Sequence, residues 1–323
     1  VLAPVVSVTK EVPQTGVTNN NWDVSSTTEN YTRLNSAPAT TLDFVGFDIS
    51  TASFVDSFSV SGQDDSPQGI TFNNDGTKMF VVGQTGDAVY EYILLTGYDV
   101  SSASYSQSFS VTAQDTNPRE IAFNNDGTKM FVLGYAGLDV NEYTLSTGFD
   151  LGSTVTFVDA FSLSSQGTQP FGLAFNEDGT KMFVVDGSID AVSEYTLSAG
   201  FDVSSASFVD SFSVAAQDTA PKGIAFSTDG TKMFITGNTN DSVYEYTLST
   251  GFDVSTASFA DSFSVAAQEN NPTAIAFSVD GGKMFIVGPT GDDVNEYTIS
   301  LAIALGTGSF ASADVGKTIE ANS

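Results

Sequence analysis

A six-residue motif recurs five times along the chain, and its regular spacing constrains the fold more than any other feature. The motif reads DGTKMF in four copies and DGGKMF in the fifth, and a proline precedes each copy by eight residues. Successive copies begin 51 or 52 residues apart, at Asp75, Asp126, Asp178, Asp229 and Asp280. A fixed period of this length is typical of propellers and solenoids, in which each repeat is one supersecondary unit.

Each repeat divides into four short segments with the composition of β-strands. Residues 223–226 illustrate strand A, and the Asp-Gly that follows it supplies the positive φ angles of a tight hairpin. Strands B, C and D are illustrated by residues 78–82, 88–94 and 208–214. Strands B and C carry bulky side chains at consecutive positions, as expected for sheets that are covered on both faces. The pattern predicts an all-β chain built from four-stranded blades.

The two ends of the repeat region predict how the ring closes. The fifth repeat ends near Ile299 without a strand D, whereas a D-type sequence at 54–60 precedes the first repeat. An N-terminal strand that completes the last blade removes the exposed edges of an open array. We therefore predict a closed five-bladed β-propeller at 46–300, an N-terminal arm or linker at 1–45, and a C-terminal extension at 301–323. An open array or a domain-swapped oligomer would use the same overhang.

Two stretches of the sequence resemble known families. The pattern P-x-G-I-A-F-x-x-D-G-T-K-M-F-V-V-G, followed by D-x-V-Y-E-Y-T-L-S-T-G, is similar to YVTN-type and related bacterial and viral propeller repeats over residues 47–299. This resemblance implies the fold but little about function, because propellers include enzymes, lectins and scaffolds. Residues 310–319 resemble the opening of small β modules found in phage tail-fibre and adhesin-like proteins; an ordinary C-terminal strand is the plainer interpretation.

Composition excludes several classes of function. The chain has no cysteine and no histidine, so thiolate chemistry, disulfides and the commonest general base are absent. Ten Lys and Arg residues stand against 39 Asp and Glu, which gives a formal net charge of −29. Such a surface repels phosphate backbones and anionic lipids, so we expect no nucleic acid and no membrane as partners.

Residues that are identical in every repeat are best explained by structure. Asp75 and its equivalents precede a hairpin glycine, and Met79 and Phe80 have the character of interblade core. We expect the lysine of strand B, such as Lys78, to offset nearby acids such as the turn aspartate. The glutamate of strand C, such as Glu91, should make one hydrogen-bonded contact per blade.

Function is therefore expected where the repeats differ, in the D–A and B–C loops, which emerge on the same face of a propeller. We call this end of the ring the variable face, and the end that carries the A–B and C–D loops the constant face. A mixture of cations, an aromatic ring and polar groups suits a sugar or a peptide, although neutral drift of exposed loops explains the same variation. The candidate ligand-binding residues are Gln68, Arg119, Phe171, Lys222, Thr273, Asp87, Tyr135, Asp190, Asp241 and Asp292.

Catalytic and metal signals are weaker. Glycosidases need paired carboxylates over the channel, but strand A supplies one acid, Glu120, where the other repeats have glycine or alanine. No cofactor is predicted. The acidic loops near Asp241 and Asp292 offer oxygen ligands for Ca²⁺ without the spacing of a recognised calcium loop, so a metal site stays undecided.

These observations favour a non-enzymatic module on a virion surface or in the extracellular space, similar to part of a phage fibre or adhesin. Its expected partners are other virion or appendage proteins, cell-surface glycans, and further copies of the chain in a homo-oligomer. Two alternatives stay open: a secreted bacterial propeller enzyme of glycosidase or lactonase type, and a pure protein-interaction scaffold.

Overall fold

The structure is a computed structural model that describes residues 22–24, 31–33, 42–300 and 302–305. The chain divides into two compact units, one formed by residues 1–44 and 302–323 and the other by Val45–Leu301. In the first unit, β1 (Trp22–Val24) pairs antiparallel with β2 (Tyr31–Arg33). Strand β3 (Leu42–Val45) pairs with β24 (Ala302–Leu305). The motif at 310–319 lies outside the described residues.

The second unit contains five antiparallel sheets of four strands each, and these are the blades. Blade 1 contains β5 (Pro67–Phe72), β6 (Lys78–Gly83), β7 (Ala88–Leu94) and β8 (Ala103–Ser110). Blade 2 contains β9 (Pro118–Phe123), β10 (Lys129–Gly134), β11 (Asp139–Leu145) and β12 (Val155–Ser162). Blade 3 contains β13 (Pro170–Phe175), β14 (Lys181–Asp186), β15 (Ala191–Leu197) and β16 (Ala206–Ser213). Blade 4 contains β17 (Pro221–Phe226), β18 (Lys232–Gly237), β19 (Ser242–Leu248) and β20 (Ala257–Ser264).

The last blade confirms the predicted closure of the ring. Blade 5 contains β21 (Ala274–Phe277), β22 (Lys283–Gly288), β23 (Asp293–Thr298) and the N-terminal strand β4 (Ser53–Ser59). Strand β4 pairs antiparallel with β23, with Phe58 opposite Val294. The all-β five-bladed propeller predicted from the sequence is therefore confirmed. Short 3-10 helices begin the strand D segments at Ile49–Thr51, Val100–Ser102, Val203–Ser205 and Val254–Thr256.

Strand B explains why the repeated motif is so constant. Because side chains alternate between the two faces of a strand, Met79 and Val81 pack toward blade 5, against Phe285. Phe80 packs in the opposite direction, in one cluster with Ile121 of blade 2. Every residue of this strand from Met79 onward is buried. The motif is therefore interblade core, as predicted.

The A–B turn requires its glycine for two reasons. Gly76 has φ +70°, in the left-handed region that glycine adopts without steric cost. A Cβ at this position would also overlap the ring of Tyr98, which covers the turn from the C–D loop of the same blade. The preceding Asp75 accepts the amide and hydroxyl hydrogens of Thr77, and these bonds hold the pKa of its carboxyl below the ordinary value. The aspartate is thus a turn residue.

A lysine–glutamate pair connects each blade to the next. Lys129 lies 2.8 Å from Glu142 of the same blade and donates to the carbonyl of Phe201, in the C–D loop of blade 3. The second oxygen of Glu142 accepts the amide of Val203 from that loop. Equivalent ion pairs of 2.6–2.9 Å join Lys78 to Glu91, Lys181 to Glu194, Lys232 to Glu245 and Lys283 to Glu296. The lysine therefore offsets a nearby acid, as expected, but this acid is the strand C glutamate rather than the turn aspartate, because the cross-strand register places the glutamate beside the lysine.

In the part of the chain that the structure describes, no helix is both long and apolar enough to span a bilayer.

Candidate functional site

The residue after each strand A proline lies at the start of an innermost strand, one per blade. Arg119 Nη1 donates to Gln68 Oε1 of blade 1 at 2.6 Å. Lys222 of blade 4 places its ammonium 3.2 Å from the ring centroid of Phe171 in blade 3. Thr273 donates to the carbonyl of Val287 at 3.1 Å and is buried. Four of the five residues that vary between repeats, Gln68, Arg119, Phe171 and Lys222, therefore contact one another in succession around the variable face.

The four B–C aspartates have a common backbone role. Asp87, Asp190, Asp241 and Asp292 all have left-handed φ angles of 46–49°. Each carbonyl accepts the amide of the first residue after strand D at 2.8 Å, as Asp87 does from Val111. Leu138 takes this position in blade 2 with φ 53°. The structure thus explains these aspartates as turn residues. Tyr135, by contrast, contacts the side chains of Arg119 and Phe171.

Sequence reasoning missed a set of buried carboxylates that join the D–A and B–C loops. Asp64 accepts the amides of Ser66 and Gly86 at 2.9 and 2.8 Å, and Asp115, Asp218 and Glu269 make equivalent bonds. In blade 3 the acid comes instead from Asp186 at the end of strand B, against Gly167. The sequence carried a signal of this exchange: the other four repeats have an acid in the D–A loop and glycine as the last residue of strand B.

A cavity of about 310 Å³ lies in the channel toward the constant face. Its walls are the inner strands of all five blades, and the A–B turns form its rim. The wall is formed by strand A residues such as Ile121, Leu173 and Ile224, whose side chains pack between the blades, and the rim carries polar side chains such as Asn74 and Asn125. The residues that vary after the prolines do not line this cavity. The structure therefore provides a second candidate site that the loop comparison did not predict.

Glu120 is the buried ionisable group of this cavity. Its side chain is 3% exposed, and Oε1 accepts the amides of Ile121 in its own strand and Ile70 in blade 1, at 3.0 and 3.1 Å. Space for the carboxyl comes from Gly69, where a Cβ would overlap Oε1. Burial raises the pKa of Glu120 well above its ordinary value, although the two amide hydrogen bonds lower it. A carboxyl with a raised pKa next to a cavity is suited to proton transfer.

Three more amide groups face the channel. Strand A is the innermost strand of each sheet and pairs on one side only, and the amides of Ile70 and Ile121 on its free edge bind Glu120. Leu173, Ile224 and Ile275 occupy the same register position, opposite the fourth residue of strand B. Their N–H groups therefore point into the channel as well, where Glu120 does not reach them. Preorganised amides of this kind stabilise a developing oxyanion.

In the acidic loops that were considered for Ca²⁺, the side chains that the structure describes bond to neighbouring residues. Asp293 accepts the side-chain amide of Asn295 at 2.7 Å, and Asn240 donates to the hydroxyl of Tyr244 at 3.1 Å. Within the described residues, no three acidic side chains converge as a metal site would require.

The fold and the site define a β-propeller with a carboxyl group buried in its central channel. The chain belongs to the lactonase family described as "Lactonase, 7-bladed beta-propeller", whose model matches residues 31–302. In this member the ring closes with five blades. The match agrees with the YVTN-type resemblance. No curated protein sequence matches the chain significantly.

Similar solved structures include three bacterial proteins. Glutaminyl cyclase from Myxococcus xanthus is 13% identical, with 81% of this chain and 99% of that chain covered and a TM-score of 0.54. A functionally unknown protein from Desulfotomaculum acetoxidans is 14% identical, with 82% and 85% covered and a TM-score of 0.47. Periplasmic gluconolactonase from Pseudomonas aeruginosa is 16% identical, with 61% and 53% covered and a TM-score of 0.39. At such identities the likeness concerns the fold alone.

The family match corrects two predictions made from the sequence. A non-enzymatic virion-surface or adhesin module was wrong, and so was the prediction that the chain is not an enzyme. Both rested in part on the absence of histidine and cysteine and on the single acid of strand A, and the virion-surface prediction rested also on the acidic surface and the resemblance of residues 310–319. Neither absence excludes carboxylate chemistry, because one buried carboxyl suffices for general base catalysis. The match also ends before the motif at 310–319, so it gives the phage-fibre resemblance no support.

Proposed function

We propose that this protein is a hydrolase that opens a small lactone in the channel cavity, with Glu120 as the general base. The observation that carries the proposal is the buried Glu120 carboxyl at a cavity that is also faced by amides on the free edges of the inner strands. Membership of the lactonase family supports a lactone as the substrate. Glycoside hydrolysis is less well supported, because it needs a second carboxyl and the equivalent positions are Gly69, Gly172, Gly223 and Ala274.

The reaction follows from these groups. The Glu120 carboxylate removes a proton from a water molecule, and the water oxygen attacks the carbonyl carbon of the lactone. Negative charge that develops on the carbonyl oxygen is stabilised by the amides of Leu173, Ile224 and Ile275. The bond between the carbonyl carbon and the ring oxygen then breaks, and the ring oxygen takes the proton from Glu120. The product is a hydroxy acid, and Glu120 is again a carboxylate.

Obstruction of the cavity mouth tests this location. Asn125 and Val279 are exposed rim residues of blades 2 and 5, so the double substitution Asn125→Trp and Val279→Trp should fold and narrow the entrance. We expect kcat/KM for five- and six-membered lactones to fall by at least about ten-fold in a pH-stat assay. The matched control is Ala215→Trp with Ala216→Trp, two exposed positions of a D–A loop. Equal losses in both variants, or a wild-type protein that opens none of the lactones, would contradict the proposal.

A further inference from the structure

Two cations on the variable face lack an acidic partner. Residues 46–300 contain seven Lys and Arg side chains, and five of these form the interblade ion pairs. The other two, Arg119 and Lys222, make no salt bridge within the described residues. The nearby carboxylates are already engaged, since Asp115 accepts the amides of Asn117 and Gly137, and Asp218 accepts the amide of Ala220. In a chain with a net charge of −29, two neighbouring cations without acidic partners are an unusual local concentration of positive charge.

The two cations are held together by one aromatic side chain. Lys222 Nζ lies 3.2 Å from the centroid of Phe171, and the Arg119 guanidinium carbon lies 5.6 Å from the same centroid. Arg119 also lies 4.8 Å from the centroid of Tyr135, whose ring is 5.7 Å from that of Phe171. Cation–π attraction of this kind positions a cation without neutralising it. Phe171 of blade 3 therefore fixes two positive charges, one from the blade on each side of it, and leaves both available to an anion.

Both cations retain unused hydrogen-bond donors. Arg119 Nη1 binds Gln68, but its buried Nε has no partner in the described part of the chain. The Lys222 ammonium, with three donors, makes no hydrogen bond to residues 46–300. Partial burial lowers the pKa of Lys222 to about 8, with a further lowering by the charge of Arg119. The site thus holds two repelling and partly desolvated charges, and a bound anion would relieve both costs.

We propose that Arg119 and Lys222 form a binding site for a dianionic oxyanion, such as inorganic phosphate or the phosphate group of a small molecule. Two cations match the two charges, and the several acceptor oxygens match the unused donors of both side chains. The site lies outside the cavity that contains Glu120, so it does not depend on the proposed hydrolysis. Loss of lactone turnover in a Glu120 variant and loss of anion binding in a Lys222 variant are separate outcomes.

Calorimetric titration with inorganic phosphate, sulfate and acetate tests the site. We expect saturable binding of phosphate and sulfate to the wild-type protein, and at least about ten-fold weaker binding by Lys222→Met and by Arg119→Met. Acetate is a monoanion, and we expect the wild-type protein to bind it at least about ten-fold more weakly than phosphate or sulfate. Thr273→Val is the matched control, because Thr273 holds the equivalent position in blade 5 and should not affect the affinity. The glycerol ester of phosphate serves as a probe for a phosphate group carried by a small molecule.

The pH dependence separates a direct charge contact from a structural role. Sulfate stays dianionic, so its affinity should fall as the pH rises through about 8 and Lys222 loses its charge. Arg119→Met removes the repulsion that lowers the pKa of Lys222, so the fall should move to higher pH. The proposal would be overturned if the wild-type protein showed no saturable binding of sulfate and phosphate. It would also be overturned if Lys222→Met bound these anions as tightly as the wild type does, or if the wild type bound acetate as tightly as phosphate and sulfate.

Discussion

Glu120→Gln is expected to lower kcat for lactone hydrolysis by about 10²–10⁴-fold, which is the usual contribution of a positioned general base. Glutamine keeps the size of the side chain and an oxygen that accepts the amides of Ile70 and Ile121, but it cannot take a proton from water. The pH-stat assay measures the rate directly. Glu177→Gln is the control, because Glu177 is an exposed carboxylate at the cavity rim. Equal activity of Glu120→Gln and the wild type would exclude Glu120 as the base.

The pH dependence of the wild-type rate checks the same role. A general base must be ionised, and burial raises the pKa of Glu120 well above the ordinary value of 4.5. The rate should therefore rise with pH through this raised pKa and then level off. A rate that decreases over the same range would assign Glu120 the role of an acid instead.

Stability measurements show whether Glu120→Gln alters the fold. Because the folded-state pKa lies above the unfolded value, the contribution of Glu120 to stability is fully present below the unfolded pKa and is lost as the pH rises through the folded pKa. The glutamine variant does not ionise, so its advantage over the wild type should grow as the pH rises above 4.5 and through the raised pKa of Glu120. Denaturant midpoints measured at a series of pH values across this range give the difference. A constant difference would contradict the burial of an ionisable carboxyl at this position.

Glu142→Ala should lower the free energy of unfolding by about 3–5 kcal/mol, because it leaves one partner of a largely buried ion pair without its counter-charge. The Lys129 ammonium would lose its carboxylate, and the amide of Val203 in the next blade would lose its acceptor. One substitution thus weakens both the blade and its junction with blade 3. Denaturant unfolding at neutral pH measures the loss.

Asp159→Ala provides a matched control for this ion pair. Asp159 lies directly opposite Glu142 in the neighbouring strand but is exposed, so its removal should change the unfolding free energy by no more than about 0.5 kcal/mol. If Glu142→Ala and Asp159→Ala unfold at the same denaturant concentration, the lysine–glutamate pairs do not stabilise the junctions between blades.

Most of the fold was predictable because its determinants are local. Asp-Gly at each A–B turn specifies a hairpin, and the unpaired D-type sequence at 54–60 identifies the strand that closes the ring. The partner of Lys129 was not predicted, because two strands must first be aligned: Glu142 lies opposite Phe131, two residues beyond Lys129 on the same face. Such a diagonal neighbour follows from the register of the hairpin rather than from proximity in the sequence.

The candidate site was harder to predict for a different reason. Glu120 stood out as the one acid of strand A, but its chemistry depends on the amides of Ile70 and Ile121, which come from two blades. The cavity is formed by backbone edges of five separated segments, and no motif records such an arrangement. Variation between loops instead indicated Arg119, Phe171 and Lys222, which the structure gathers into a different site. Comparison of the repeats thus identified the loops in which the blades differ. The cavity is lined by strand A of every blade, and the sequence of this strand is nearly the same in all five repeats.

A crystal structure with a hydroxy acid bound, as the product of an opened lactone, tests the central claim most directly. We predict that its carboxylate lies in the channel cavity, within hydrogen-bond distance of Glu120 and of amides from Leu173, Ile224 or Ile275. A hydroxy acid bound only beside Phe171 on the variable face, with none in the cavity, would contradict the claim that hydrolysis takes place at Glu120.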